Sequence, residues 1–299
     1  MVRNIGMVLT RLENLSKIDR YKLTHTELIL FDEQDRETLE EFVWTRGLSF
    51  GIHSPLFRPA VTGHPLSLCL LDFDEDRRRL AVKLALNSIH LADDLGAEYV
   101  TIHLQRPVGI TGDSLNSERA DEALRVLCRS TEEILEAAQR YAVEVVGENM
   151  VSHPLFYSPE HYARFFERFP SLGFCFDLGH AAIDGAAFGF SWDEFLAAVT
   201  PYIHSVHLYN NRVVPGFDFA RIKEQGVLRK HPPHPSQKPE DGWMPVESIL
   251  RHLLRHSPIE HLNFEIYASM DTDPAFTQAG MDWVKGIVRE SYEAASAAP

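Results

Sequence analysis

The 299-residue chain lacks most of the features that assign a protein quickly. Its three cysteines, Cys69, Cys128 and Cys175, show no C-x-x-C spacing, so they offer no disulfide framework and suit a reducing cytoplasm. No run is apolar enough to span a bilayer. The first twenty residues carry Arg3, Arg11, Glu13, Lys17, Asp19 and Arg20 around no continuous apolar core, and so do not read as a signal peptide. Basic charge is scarce. With 29 Lys and Arg against 43 Asp and Glu, the net charge is -14, which weighs against nucleic acid as a partner because phosphate binding needs a basic footprint. There is no G-x-S-x-G elbow, no P-loop and no G-x-G-x-x-G, so serine hydrolase, nucleotidase and dehydrogenase readings have no anchor. No linker, low-complexity tract or short repeat divides the chain. It is expected to form one domain over residues 1–299, of ordinary globular composition at 44% hydrophobic and 24% charged.

What the chain does have is histidine, 15 in all, and a recurring pattern around some of them. Six short stretches put His, Asp or Glu at or near the exit of an apolar, strand-like run. They are GIHSP (Gly51–Pro55), TIHLQ (Thr101–Gln105), GENM (Gly147–Met150), FDLGH (Phe176–His180), SVHLYNN (Ser205–Asn211) and NFEIY (Asn263–Tyr267). Ionisable residues at many strand ends are what a barrel with its site on one rim leaves in a sequence.

Along the chain, eight strand-like runs alternate with helix-like ones. The strands are expected at 5–9, 27–31, 49–53, 99–103, 143–147, 173–177, 203–208 and 261–266. The clearest helices are 74–95, with Leu80, Leu84, Leu91 and Leu95 near one face and Gly96 as the stop, and 116–142, with Ala120, Leu124, Leu127, Ile134 and Ala138 in step and Asn116 or Ser117 as N-cap. Shorter ones fall at 37–45, 160–169, 192–200, 246–255 and 276–295. This alternation predicts a right-handed parallel closure, a (β/α)8 TIM barrel. Strand parity agrees. If the ionisable residues point inward, Gly51, Thr101, Cys175 and Ser205 do too, while Ile52, Ile102, Phe174, Phe176, Val206 and Phe264 face the helices. Small or polar residues inside leave room for a site at the barrel mouth. Two long loops, Ser54–Asp72 and Tyr209–Trp243, are expected to lie over that mouth.

Glu148, Asp177, His207 and Glu265, one from each of four consecutive strands, make an oxygen-rich donor set with one imidazole. Singly, each could be a strand-end residue bonded to a loop. Together they point to a divalent metal, with Mn, Zn, Mg and Co all compatible. His180, three residues after Asp177, is in reach of the same mouth as a ligand, a substrate contact or an orienter, or else belongs to the cap of a following helix. His53 and His103 sit where inward residues leave the barrel and are expected to line the site. His231 and His234 belong to the HPPH of the second long loop and are possible further ligands. His25, His64, His90, His153, His161, His204, His252, His256 and His261 read as surface or packing residues, and His204 has the wrong parity to join His207.

On these residues the chain resembles the xylose isomerase-like TIM-barrel superfamily, which groups sugar isomerases and epimerases with the apurinic/apyrimidinic endonuclease family 2. The likeness runs from Ile5 to about Ile287 and rests on the order of the strand-end residues. It implies one divalent ion held by Glu148, Asp177, His207 and Glu265, with Glu148 and Glu265 also acting as catalytic acid and base, and His180 touching the sugar. The endonuclease branch adds ligands for two more ions. His53, His103 and His180 match its histidines, but its later D-x-H appears here as RKH (Arg229–His231) or PPH (Pro232–His234), without the Asp.

The resemblance therefore implies a metal-dependent isomerase or epimerase acting on a sugar or sugar phosphate through an enediolate. The alternative is a multi-metal phosphodiester hydrolase on a non-DNA substrate, such as the nucleotide loop of a corrinoid. Either way the partner is a small sugar-like or phosphoester molecule, not a membrane. The oligomeric state stays open, a homo-oligomer included.

Overall fold

Eight short strands, each too polar on its inner face and too apolar on its outer face to stand alone, close on themselves. The structure is a computed structural model that describes residues 2–60, 68–105, 115, 117–213, 229–266 and 269–296. Its strands are β1 (Asn4–Leu9), β2 (His25–Leu28), β3 (Ser49–His53), β4 (Tyr99–Leu104), β5 (Glu144–Asn149), β6 (Leu172–Asp177), β7 (Ile203–Leu208) and β8 (His261–Phe264). They pair in sequence order, all parallel, and β8 returns to β1, so the sheet is a closed (β/α)8 barrel. The helices are α1 (Ser16–Arg20), α2 (Arg36–Arg46), α3 (Glu75–Leu95), α4 (Ser117–Tyr141), α5 (Pro159–Arg168), α6 (Leu178–Phe188), α7 (Trp192–Val199), α8 (Val246–His256) and α9 (Pro274–Ser296). No described helix is long and apolar enough to cross a membrane.

The expected parity holds. Ile52, Val100, Ile102, Phe174, Phe176, Val206, Leu262 and Phe264 join the large apolar layer between sheet and helices. Tyr99, Val146 and Cys175 form a separate small cluster inside the barrel. Tyr99 fills the barrel axis only because residue 51 is glycine, since a Cβ there would run into the Tyr99 ring.

Four expectations need correction. The second strand occupies 25–28, not 27–31, because Leu30 turns into the left-handed region (φ 56°) and ends the regular ladder. A helix missing from the sequence reading, α6, follows β6 at once; its LGHAAIDGAAF is too evenly apolar and small to show a stripe, yet Asp177 caps it. In α3 the buried face is Ala81, Val82, Ala85, Ser88, Ile89 and Ala92, with the predicted leucines at its flanks, because small residues let the helix approach the sheet closely. In α4 Ala123, Leu127, Ile134 and Ala138 are buried, whereas Leu124 is exposed. The predicted stop at Gly96 is correct, at φ 76°. Asn116, His64, Tyr267 and residues 61–67 and 214–228 of the two long loops lie outside the described residues.

Candidate metal centre

The strands deliver their ionisable ends to one place. His103 on β4 lies opposite Glu148 on β5, and Asp177 on β6 lies opposite His207 on β7. Glu265 follows β8, its N–H donating to the Leu208 carbonyl at 3.0 Å. Three overlapping donor sets result, each with ligand atoms within 4.8 Å of one another: Glu148–Asp177–His207–Glu265, His53–His103–Glu148 and Glu27–His53–His207. The four-residue set read from the sequence is thus brought together. His53 and His103 join it through Glu148.

Local hydrogen bonds aim these groups. His207 Nε2 donates to Glu27 Oε1 at 2.9 Å, which turns Nδ1 towards Glu148 Oε1 (3.4 Å) and Glu265 Oε2 (3.6 Å). Asp177 Oδ1 accepts the His180 backbone N–H at 2.8 Å and so caps α6, leaving Oδ2 for the site. Asn149, the last residue of β5, holds the Asp177 backbone from both sides, at 2.8 Å and 3.0 Å. His180 Nδ1 donates to the Asn149 carbonyl at 2.8 Å and lies 3.4 Å from Asp177 Oδ2 and 3.5 Å from Glu148 Oε1. His53 Nε2 is 2.8 Å from His103 Nε2 and 3.2 Å from Glu148 Oε2.

His231 and His234 do not come to these donor sets. His231 exchanges backbone hydrogen bonds with Asn210 and sets its ring edge against Trp243, while His234 stacks on Phe276 with its Nδ1 2.7 Å from Ser236 Oγ. His204, as its parity required, leaves the site and pairs with Glu144 at 2.8 Å.

Two residues that the sequence reading missed stand at the centre. Glu27, fully buried, touches both His53 and His207. Lys230 brings its ammonium between Asp177 Oδ2 (3.3 Å) and Glu265 Oε2, over the face of Tyr209 at 4.6 Å. Tyr209 comes this close because residue 179 is glycine, whose missing Cβ would strike the ring. The parity of β2 could have pointed to Glu27 had the strand been started at His25. No periodic signal marks Lys230.

Burial and neighbouring charge divide the groups. Burial pushes Glu265 above the usual carboxylate range, against the pull of Lys230 and His207. Glu148 is held well below that range because His207 and His103 outweigh its burial. Separated proton affinities of this kind suit two carboxyls with different tasks. Burial disfavours a charged His53, yet Glu148 and Glu27 raise it to about 9, while burial and His53 together lower His103. Buried in the barrel, Cys175 is pushed up to about 12, so its thiol stays protonated.

A divalent ion fits these donors. His207 Nδ1 is buried, makes no hydrogen bond and faces the carboxylates of Glu148 and Glu265. Leaving a buried polar atom unsatisfied costs about 1–3 kcal/mol. One imidazole among three carboxylates is the mixture that Mn, Zn, Mg and Co accept.

The sequence matches the family described as xylose isomerase-like TIM barrel over residues 22–287. The chain belongs to that family. No curated protein matches it in sequence. Among solved structures, this xylose isomerase-like barrel is similar to a D-tagatose 3-epimerase-like protein at 19% identity, covering 97% of this chain and 99% of that one with a TM-score of 0.67. It is also similar to an L-ribulose 3-epimerase at 14% identity, covering 99% and 97% with a TM-score of 0.69. A third is a Thermus thermophilus protein soaked with ZnCl2, at 19% identity, 96% and 98% coverage and a TM-score of 0.63. Likeness at these identities speaks for the shared fold.

Proposed function

We propose that this chain is a divalent-metal-dependent epimerase or isomerase of a sugar or sugar phosphate. The observation that carries the reading is the donor set Glu148, Asp177, His207 and Glu265, with an imidazole Nδ1 that has no hydrogen bond inside it. Structural neighbours named as ketose 3-epimerases support the sugar part of the proposal.

The ion would be held by those four residues and would supply Lewis-acid stabilisation of the enediolate that forms when a hydroxy-ketone loses its α-proton. Glu148 and Glu265 would handle that proton, one accepting it from the carbon and the other returning one to the opposite face. His180, fixed through Nδ1 by the Asn149 carbonyl, would keep Nε2 for a substrate hydroxyl. The test is turnover of a ketose panel in D2O. One deuterium per turnover at the inverted carbon is expected, with activity lost to a chelator and restored by Mn or Co; turnover without exchange would overturn the proton-transfer scheme.

A second reading, a multi-metal phosphoester hydrolase, has its own observation. His53 Nε2, His103 Nε2 and Glu148 Oε2 all lie within 3.4 Å of one another, a second donor trio sharing one carboxylate. Elemental analysis of protein purified without added metal separates the two. One ion per chain is expected; two or three would favour the hydrolase and remove the simple epimerase.

Lys230 competes with the ion for the same oxygens. Two cations sharing Asp177 and Glu265 repel each other in a poorly screened interior. Lys230→Met is therefore expected to tighten metal binding about tenfold, roughly 1.4 kcal/mol. Calorimetric titration of the metal-free protein measures it; equal or weaker binding would show that the ammonium does not compete.

A further inference from the structure

We infer that Glu27 is the positioning residue of this site, a single carboxylate that selects which ring nitrogen His53 and His207 each present to the donor sets. The inference rests on the metal reading above but goes beyond it, because Glu27 belongs to neither the four-residue set nor the catalytic pair.

An ionised carboxylate at zero exposure is tolerated only when its lone pairs are filled. Glu27 has partners on both oxygens. Oε1 takes the hydrogen bond from His207 Nε2 at 2.9 Å and has His53 Nδ1 at 2.9 Å. Oε2 accepts from Tyr99 OH at 2.7 Å, Thr101 Oγ1 at 3.2 Å and Asn263 Nδ2 at 3.2 Å. The second oxygen is anchored to the barrel axis, so the carboxylate cannot rotate away from the two rings. Tyr99 is itself pinned, by Asn263 Nδ2 at 2.6 Å and His25 Nε2 at 3.3 Å.

The consequence for the rings follows from imidazole chemistry. A neutral imidazole, the form that binds a metal, donates from one nitrogen and offers a lone pair from the other. With Nε2 committed to Glu27, His207 points Nδ1 at the space it shares with Glu148 and Glu265, where its lone pair would meet an ion. With Nδ1 against Glu27, His53 points Nε2 at the space it shares with Glu148 and His103. Because both rings share one oxygen, Glu27 sets the two donor sets together. Carboxylates behind metal-bound imidazoles act in this way generally, fixing tautomer and ring orientation.

The test uses Glu27→Gln in the full chain, with zinc as probe. Its amide keeps the volume, but the three donors at the Oε2 position draw the amide oxygen to their side and leave an NH2 group facing the two rings. Zinc affinity is expected to fall about 10- to 100-fold. In long-range 1H–15N spectra, the His207 Nε2–H signature of the wild type is expected to be lost. Affinity within twofold of wild type with an unchanged His207 pattern would overturn the inference. Should Glu27→Gln fail to fold, Tyr99→Phe decides. It leaves every donor in place, removes one anchor of Oε2 and is expected to weaken zinc several-fold; unaltered affinity in that folded variant overturns the positioning role. A wild-type protein that binds no zinc would sink the metal reading instead, and the comparison of the His207 Nε2–H signal, which needs no metal, would still judge Glu27.

Discussion

Glu265→Gln is expected to lower kcat by about 10²- to 10⁴-fold, the range a positioned acid or base supplies, while the protein still binds its metal. Glutamine keeps an oxygen for the ion and nearly the same volume, but it carries no proton to give or take. On the proposed reaction this residue is suited to exchange protons, because burial holds its carboxyl above the usual range and Lys230 and His207 keep that rise in check. The interaction lost would be one made in the transition state, so kcat and kcat/KM should fall together with little change in KM. Steady-state kinetics with parallel metal analysis checks both halves. Wild-type turnover by the metal-loaded variant would remove Glu265 from proton transfer.

Glu148→Ala is expected to do more damage, to folding as well as to function. Four imidazoles crowd this carboxylate: His53 at 3.2 Å, His103 and His207 at 3.4 Å and His180 at 3.5 Å. Burial disfavours charge on two of these rings, yet Glu148 and Glu27 push His53 up to about 9, and Cys175, Glu27 and Glu148 push His207 upward. Deleting Glu148 strands buried positive charge, a change that typically destabilises by about 3–5 kcal/mol. It also removes the one residue common to the first two donor sets, so tight metal binding should disappear. Urea unfolding at neutral pH and metal titration measure the two effects separately. A variant as stable as wild type would show that the rings do not depend on this carboxylate for their charge.

Much of the architecture was legible because its signals are local. Alternation with a period of two put Ile52, Phe174, Phe176 and Val206 on the helix side and His53, Asp177 and His207 inside, and the structure agrees at each position. Helix stops such as Gly96 were legible for the same reason, since a left-handed residue is a property of the chain itself. Signals that depend on contrast failed where contrast was missing. The uniformly small, apolar α6 shows no stripe, and the leucines of α3 outweighed the alanines that actually meet the sheet.

At the candidate site the same division holds. His231 and His234 had a suggestive spacing, but their loop carries them to Trp243 and Phe276. Lys230, from the neighbouring position, is the residue that enters, and nothing in its local pattern distinguishes it from an exposed lysine.

By itself, then, the sequence determined the closed parallel barrel, the inward parity of its strands and that Glu148, Asp177, His207 and Glu265 converge at one end of it. Only the tertiary structure decided which inward residues meet across the axis, that Glu27 reaches both His53 and His207 from β2, and that Lys230 lies between Asp177 and Glu265. Parity is set by the two-residue repeat of each strand. The meeting of distant strands is set by register and closure of the ladder, which places Glu27 beside Gly51, whereas Lys230 reaches Asp177 from outside the ladder.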